Sequence, residues 1–429
     1  MQLRLKDMLK VYLPVLLFLL NLLNFYSYKL FIGLYFATFL LFYKNKLTNF
    51  ESFLVKLIPF TFYLSQLLNV FLEKPRNSSI FWDMQDFLHF IKCNVKPEHI
   101  HSYRYISEER ICVDTIGYGF ITKYIIFNGD IWATTLIIFA IFSTLVLIFL
   151  FNLKNNVFLV VTLLISPSFN FLIFSLNTDL FIFTYFVYLF CKDIKSWSFI
   201  DLLLLSLFSQ LKLYPLLLIC GYVFFIMLKD KKLTKKLYLS IAVLIINTFS
   251  IIYFLFFLDP FLPNPLSYTR TFGFLHDINL MREVVGYDEV IKIIFSLLIF
   301  VAIFILIGKT EKIFKLVIVN FESKYLDKFV IFFPLTLVIN LFHNWGYKFI
   351  FNFFVIYLIF KFCKPVLMQL FLIILILTNT TYYLIGYGFL ASFENFTYLI
   401  ISKLSFYIFL TIGSVNFYFS VKKLVKSIL

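Results

Sequence analysis

The sequence predicts an all-α fold, a polytopic transmembrane helix bundle, and three observations predict it. Of 429 residues, 62% are hydrophobic and only 14% charged, whereas soluble domains run near 45–50% apolar and about 25% charged. The apolar residues come in long runs separated by short polar turns. The lysines crowd into those turns instead of spreading along the chain. Aromatic residues make up 22%, with 62 Phe and 27 Tyr, more than a water-soluble interior has room to bury. Disorder, collagen, a coiled coil and nucleic-acid binding are excluded as descriptions of the whole chain. The net charge of +15, from 38 basic and 23 acidic residues, would point to a nucleic-acid partner in a soluble protein. Here it reads as topology.

A spanning helix needs about 20 apolar residues. Runs of suitable character lie near 11–27, 30–43, 53–72, 131–151, 157–174, 178–191, 199–211, 214–228, 237–258, 290–308, 328–343, 346–361, 366–385 and 396–419. They give some 12–14 spans in one integral membrane domain over 1–429. Within it lie an N-terminal helical hairpin (1–52), a large outer loop (73–130) carrying short interfacial helices, core helices (131–361) and C-terminal helices (366–429). The runs 178–191, 199–211 and 214–228 are short, about 20 Å of helix each at 1.5 Å per residue. They are expected to be re-entrant, tilted, or set deep beneath one surface. The first run, near 11–26, has no small-residue cleavage site after it and is expected to stay as a helix.

Placing the N-terminus inside puts 24 of the 38 basic residues in short inner loops or tails, among them Lys192, Lys195, Lys229, Lys324, Lys328, Lys361, Lys422, Lys423 and Lys426. The positive-inside rule then sets both termini in the cytoplasm. The expected location is a bacterial inner (plasma) membrane, or the ER membrane in a eukaryote. Five cysteines show no metal spacing. Cys191, Cys220 and Cys363 read as packing residues; Cys93 and Cys112 share the outer loop and could pair only if it faces an oxidising compartment.

This threading leaves every long polar loop on the outer side, and the candidate chemistry follows. In the segment Trp82 to Phe90, the residues Phe81, Trp82, Phe87, Leu88 and Ile91 form one face of a short interfacial helix. Asp83 and Asp86, three apart, then share the other face at the membrane rim. Partial desolvation there raises carboxylate basicity; the alternative is a solvated acidic loop. Asn177 and Asp179 open a helix after an apolar run. A carboxyl group at that depth is costly and therefore a functional candidate, although either residue could equally be an N-cap. Lys212 is the only charge between Asp201 and Lys229 and sits at the tip of a short hairpin before Tyr214-Pro215. It suits a phosphate, or it snorkels to the interface. The Pro-rich loop 259–289 carries Arg270, Thr271-Phe272-Gly273, His276 and Asp277. His343-Asn344-Trp345-Gly346-Tyr347-Lys348 forms a further outer turn, whose aromatics also fit an interfacial belt.

The order of these features resembles the polyprenyl-phosphate-sugar-dependent membrane glycosyltransferases of the GT-C fold group, especially the bacterial mannosyl- and arabinosyltransferase-like branch (glycosyltransferase family 87-like). The likeness covers roughly 53–361. It rests on Asp86-Phe87, on Pro167 followed by Asn177-Thr178-Asp179, on Lys212-Leu213-Tyr214-Pro215, on Thr271-Phe272-Gly273 and on Asn344 to Lys348. Three positions depart from the family pattern. Leu176 replaces a Gly, Lys348 replaces an Arg, and Tyr118-Gly119 replaces Tyr-Pro-Pro.

The resemblance implies an inverting sugar transfer at the outer face, from a polyprenyl-phosphate sugar donor to a lipid-linked or envelope glycan acceptor. Asp86 or Asp83 would be the catalytic base. Lys212, Arg270, His343 and Lys348 would bind the donor phosphate; Asn177, Asp179, Tyr214 and His276 would orient the sugar. No cofactor is required, and a divalent metal is compatible with the acids although no spacing demands one. Membrane lipid is a partner and nucleic acid is not. Two other readings stay open. One is a polymerase or ligase of lipid-linked oligosaccharides, expected to show a dense outer Arg cluster. The other is a lipid or solute transporter, expected to place its ionisable groups at the midplane between repeats.

Overall fold

The computed structural model describes residues 129–153, 157–211, 214–229, 235–257, 318–341, 344–363, 366–378 and 394–428, together with 16, 52–53, 55–59, 84, 88, 105–107, 110–112 and 271–272. The described chain is helical apart from two very short ladders. Its helices are α1 (Ile131–Phe151), α2 (Val157–Leu164), α3 (Pro167–Ser175), α4 (Asp179–Cys191), α5 (Phe199–Leu211), α6 (Pro215–Lys229), α7 (Lys235–Phe257), α8 (Ser323–Leu341), α9 (Phe353–Phe362), α10 (Val366–Thr378) and α11 (Glu394–Ile428). 3₁₀ turns occupy Ile194–Ser196 and Gly346–Asn352.

Among the described residues two helices are long and apolar enough to cross a membrane: α1, and the part of α11 over Phe406–Lys426. α1 has 21 residues, about 31 Å at 1.5 Å per residue. Asp130 starts it by accepting the Ala133 N–H at 2.8 Å, an N-cap. α4, α5, α6 and α10 are shorter apolar helices of 13 to 15 residues. Large apolar side chains stand exposed along several of these elements. They include Ile137 and Ile148 on α1, Ile200 and Leu207 on α5, and Ile246 and Phe249 on α7.

Two expectations are corrected. The run 157–174 is two helices, because Ser166 caps α3 through the Phe169 N–H at 3.3 Å and Pro167, at its first position, has no N–H to continue α2. The run 346–361 begins as a 3₁₀ turn and is α-helical only from Phe353. The 73–130 segment also holds an antiparallel strand pair, β1 (Tyr105–Ser107) with β2 (Arg110–Cys112), in which Ile106 stands opposite Ile111. A β-branched centre on each side of a two-residue connection favours a hairpin there over a helix. In the same segment Met84 and Leu88, four residues apart, are helical and buried. Cys191, Cys220 and Cys363 carry free thiols.

The core is aromatic. Phe183, Phe186 and Phe190, spaced along one side of α4, meet Phe351 and Phe354 at centroid separations of 5.3–6.2 Å. Phe190 also meets Phe332 of α8 edge-on at 5.2 Å. Such tilted and edge-on pairs suit ring quadrupoles. α6 and α8 pack closely at Gly221, where a Cβ would lie 2.6 Å from the Ile331 carbonyl oxygen.

A group of ion pairs gathers at one end. Asp193 binds Lys324 at 3.0 Å, Lys229 binds Asp327 at 2.6 Å and Lys192 binds Asp201 at 2.7 Å. The last bond holds the Lys192 ammonium above the usual lysine range. Lys328 donates to the Phe190 carbonyl and Lys361 to the Tyr325 hydroxyl. These contacts tie the ends of α4 and α6 to the start of α8. The opposite ends of α4 and α6 carry the candidate site.

Candidate functional site

The site forms where α3, α4, α6 and the 346–352 turn meet. The chain leaves α3 through Leu176, whose φ of 50° and ψ of 46° are left-handed. A residue with a Cβ adopts that region at a cost, and the side chain of Leu176 is fully buried, so packing holds the turn. The reversal lets Asn177 Oδ1 accept the Asp179 N–H at 2.9 Å, an Asx turn. The cap position of α4 is therefore Thr178, whose side chain makes no cap bond, while Asn177 supplies the capping oxygen from one residue earlier.

Asp179 is the first residue of α4 and is completely buried. The Tyr214 hydroxyl, from the residue just before Pro215 of α6, donates to Asp179 Oδ1. The other oxygen, Oδ2, has no hydrogen-bond partner among the described residues. The Tyr214 ring is held on three sides. Phe351 lies at 4.7 Å and Phe186 edge-on at 6.5 Å, and the Lys348 ammonium stands 5.9 Å from its centroid. The last contact is within cation–π reach. One tyrosine thus bridges a buried carboxyl group and a half-buried ammonium.

A second ladder arrives at the same end. β3 (Thr271–Phe272) pairs antiparallel with β4 (Asn344–Trp345), Thr271 opposite Trp345 and Phe272 opposite Asn344. β4 runs directly into the turn that carries Lys348. The Thr271-Phe272-Gly273 and Asn344 to Lys348 motifs, 73 positions apart from Thr271 to Asn344, are therefore joined through their backbones.

Of the residues singled out in the sequence, the structure brings together Asn177, Asp179, Tyr214 and Lys348. Asp83, Asp86, Lys212, Arg270, His276 and His343 lie outside the described residues, as do Cys93 and the 290–308 run. Arg270 and His343 are chain neighbours of Thr271 and Asn344, and Lys212 precedes Tyr214 by two.

Sequence reasoning missed several buried polar groups nearby. Asn340 and Asn352 exchange amide hydrogen bonds at 2.7 and 3.0 Å. On α3, Asn170 is fully buried, and neither atom of its amide has a partner among the described residues. A lone Asn within an apolar run would have been a usable signal, since a buried amide without partners is costly. Chemically, the arrangement offers a carboxyl oxygen able to accept from a hydroxyl group and an ammonium able to meet an anion. Comparison with protein-family models, curated proteins and solved structures finds no match.

Proposed function

We propose that this chain is a polytopic membrane glycosyltransferase that moves a sugar from a polyprenyl phosphate to an envelope glycan or glycolipid. The observation that carries the proposal is the convergence of Asp179, Tyr214, Lys348 and the β3–β4 ladder at one end of the bundle, opposite the lysine-rich end. Groups far apart in sequence are gathered there at positions where an ionisable side chain is otherwise unfavourable. The membrane placement is supported by α1 and α11, and by the apolar faces exposed on α1, α5 and α7, surfaces that water solvates poorly. In this placement the lysine-rich end and both termini are cytoplasmic and the site faces outward.

In the proposed reaction an acceptor hydroxyl oxygen bonds to the anomeric carbon as the bond from that carbon to the phosphate oxygen breaks. The electron pair leaves with the polyprenyl phosphate and the hydroxyl proton passes to Asp86 or Asp83. One displacement inverts the anomeric centre, and the transfer as written needs no metal. Lys348, together with Lys212, Arg270 and His343, neutralises the departing phosphate. Asn177, Asp179, Tyr214 and His276 orient the sugar.

Purified protein in liposomes, given a radiolabelled polyprenyl-phosphate sugar and an envelope lipid extract, is expected to yield labelled glycolipid. Asp86→Asn should lower turnover by about 10²–10⁴, the usual worth of a general base. Lys348→Gln should lower it by roughly 10²-fold through lost charge stabilisation, with Lys348→Arg retaining most activity. Near-normal transfer by Asp86→Asn and Asp83→Asn would overturn the base assignment, and no transfer from any polyprenyl-phosphate sugar would overturn the reaction.

A further inference from the structure

At the lysine-rich end, far from the site above, a cavity of about 320 Å³ opens between the last turns of α11 and the segment leading into α8. Phe321, Phe419 and Ser420 form its floor, and Lys422, Lys423 and Lys426 line it. Phe321 and Ser420 are buried, whereas the three lysines are exposed. Among the described residues no carboxyl group lines the cavity. This sets it apart from the neighbouring cations, since Lys192, Lys229 and Lys324 are each bound to an aspartate.

The floor is fixed by two bonds that cross the chain. Asn416 Oδ1 of α11 accepts the Val319 N–H at 2.7 Å, and Lys423 Nζ donates to the Phe321 carbonyl at 3.4 Å. The cavity is therefore a recess held between two elements, and not a row of side chains on one helix surface.

We propose that this recess binds a phosphate group. Three ammonium groups around one concavity repel each other unless an anion joins them, and a group carrying close to two negative charges neutralises them better than a monoanion. Lysine meets phosphate as a compact point charge with several donors. Ser420 adds a hydroxyl at the buried end, and the Phe floor suits the apolar portion of the molecule bearing the phosphate. Basic recesses of this kind, at the cytoplasmic end of a helix, take anionic lipid headgroups; a soluble phosphoester presents the same chemistry. The inference is independent of sugar transfer, because none of these residues belongs to the candidate site.

The test uses the full chain in two settings. In detergent, binding of inorganic phosphate is titrated by calorimetry. In nanodiscs of phosphatidylcholine with or without phosphatidic acid, a lipid phosphomonoester, retained phosphatidic acid is counted by native mass spectrometry. The triple variant Lys422→Gln/Lys423→Gln/Lys426→Gln is expected to lose roughly tenfold or more in affinity, about the worth of one charge-assisted bond. Lys422→Gln/Lys426→Gln, which keeps the Lys423 bond to Phe321, should lose most of it too. The control Lys56→Gln/Lys195→Gln/Lys324→Gln removes as much charge elsewhere at that end and should bind normally. Binding in detergent assigns a soluble phosphoester; retention in nanodiscs alone assigns a lipid headgroup. Equal losses in the control and in the triple variant, or no binding in either setting, would overturn the proposal.

Discussion

Tyr214 does two tasks with two parts of one side chain: its hydroxyl satisfies Asp179 and its ring supports Lys348. Tyr214→Phe separates them. The ring contacts with Phe351 and Lys348 survive, while Asp179 loses its one hydrogen-bond donor among the described side chains. Stranding a buried polar group costs about 1–3 kcal/mol, so thermal unfolding of the purified variant should fall by that amount relative to the native chain, and Tyr214→Phe/Asp179→Leu should recover part of it. A variant as stable as the native protein would show that Asp179 is satisfied in another way. These residues were legible in the sequence because ionisable and hydrogen-bonding groups stand out in apolar runs. The departure noted at Leu176, where the resembled family has Gly, falls at the one described non-Gly residue with positive φ. Asp193, Asp201 and Asp327 gave no such signal. Their partners lie 131, 9 and 98 positions away respectively, and only the fold supplies those.

Hydropathy located the elements well where one helix fills one run. It predicted α1 over 131–151 with the observed bounds, and placed α4, α5 and α6 within a residue or so. It merged α2 with α3, because the break at Ile165-Ser166 occupies two residues and both halves are apolar; the Ser cap followed by Pro carried the information that apolar content did not. It also read the 346–352 turn as α-helix, since a 3₁₀ turn has the same apolar content. The α6–α8 contact was invisible, for nothing in the sequence marks which helix Gly221 meets. Gly221→Ala would force a methyl group against the Ile331 carbonyl, a backbone atom that moves only with its helix. Overpacking of this kind costs about 1–3 kcal/mol, which offsets any gain in helix propensity. A variant that unfolds at or above the native temperature would mean that α6 and α8 can separate freely.

At the scale of the molecule, five of the lysines assigned to inner loops by counting, Lys192, Lys229, Lys324, Lys328 and Lys361, gather at one end of the described bundle. Asp179, Tyr214 and Lys348 gather at the other. In a chain with its native cysteines replaced by serine, a cysteine at Lys195 should react with an impermeant maleimide only in inverted vesicles, and one at Trp345 only in intact cells. Labelling of both from the same side would overturn the placement.

The helices joining those two ends have a further consequence. α4 and α6, with 13 and 15 residues, measure about 20–22 Å from end to end, while the hydrocarbon of a typical bilayer is about 30 Å thick. Both helices are largely buried among their neighbours, while the exposed α1 is long enough to span, so in the proposed placement the difference of about 8–10 Å sets their outer ends below the membrane surface. The Asp179 end of α4 then lies near the level of the lipid glycerol groups. A substrate anchored by a long isoprenoid tail would reach it by lateral diffusion, its headgroup sliding sideways into register without first being lifted into water.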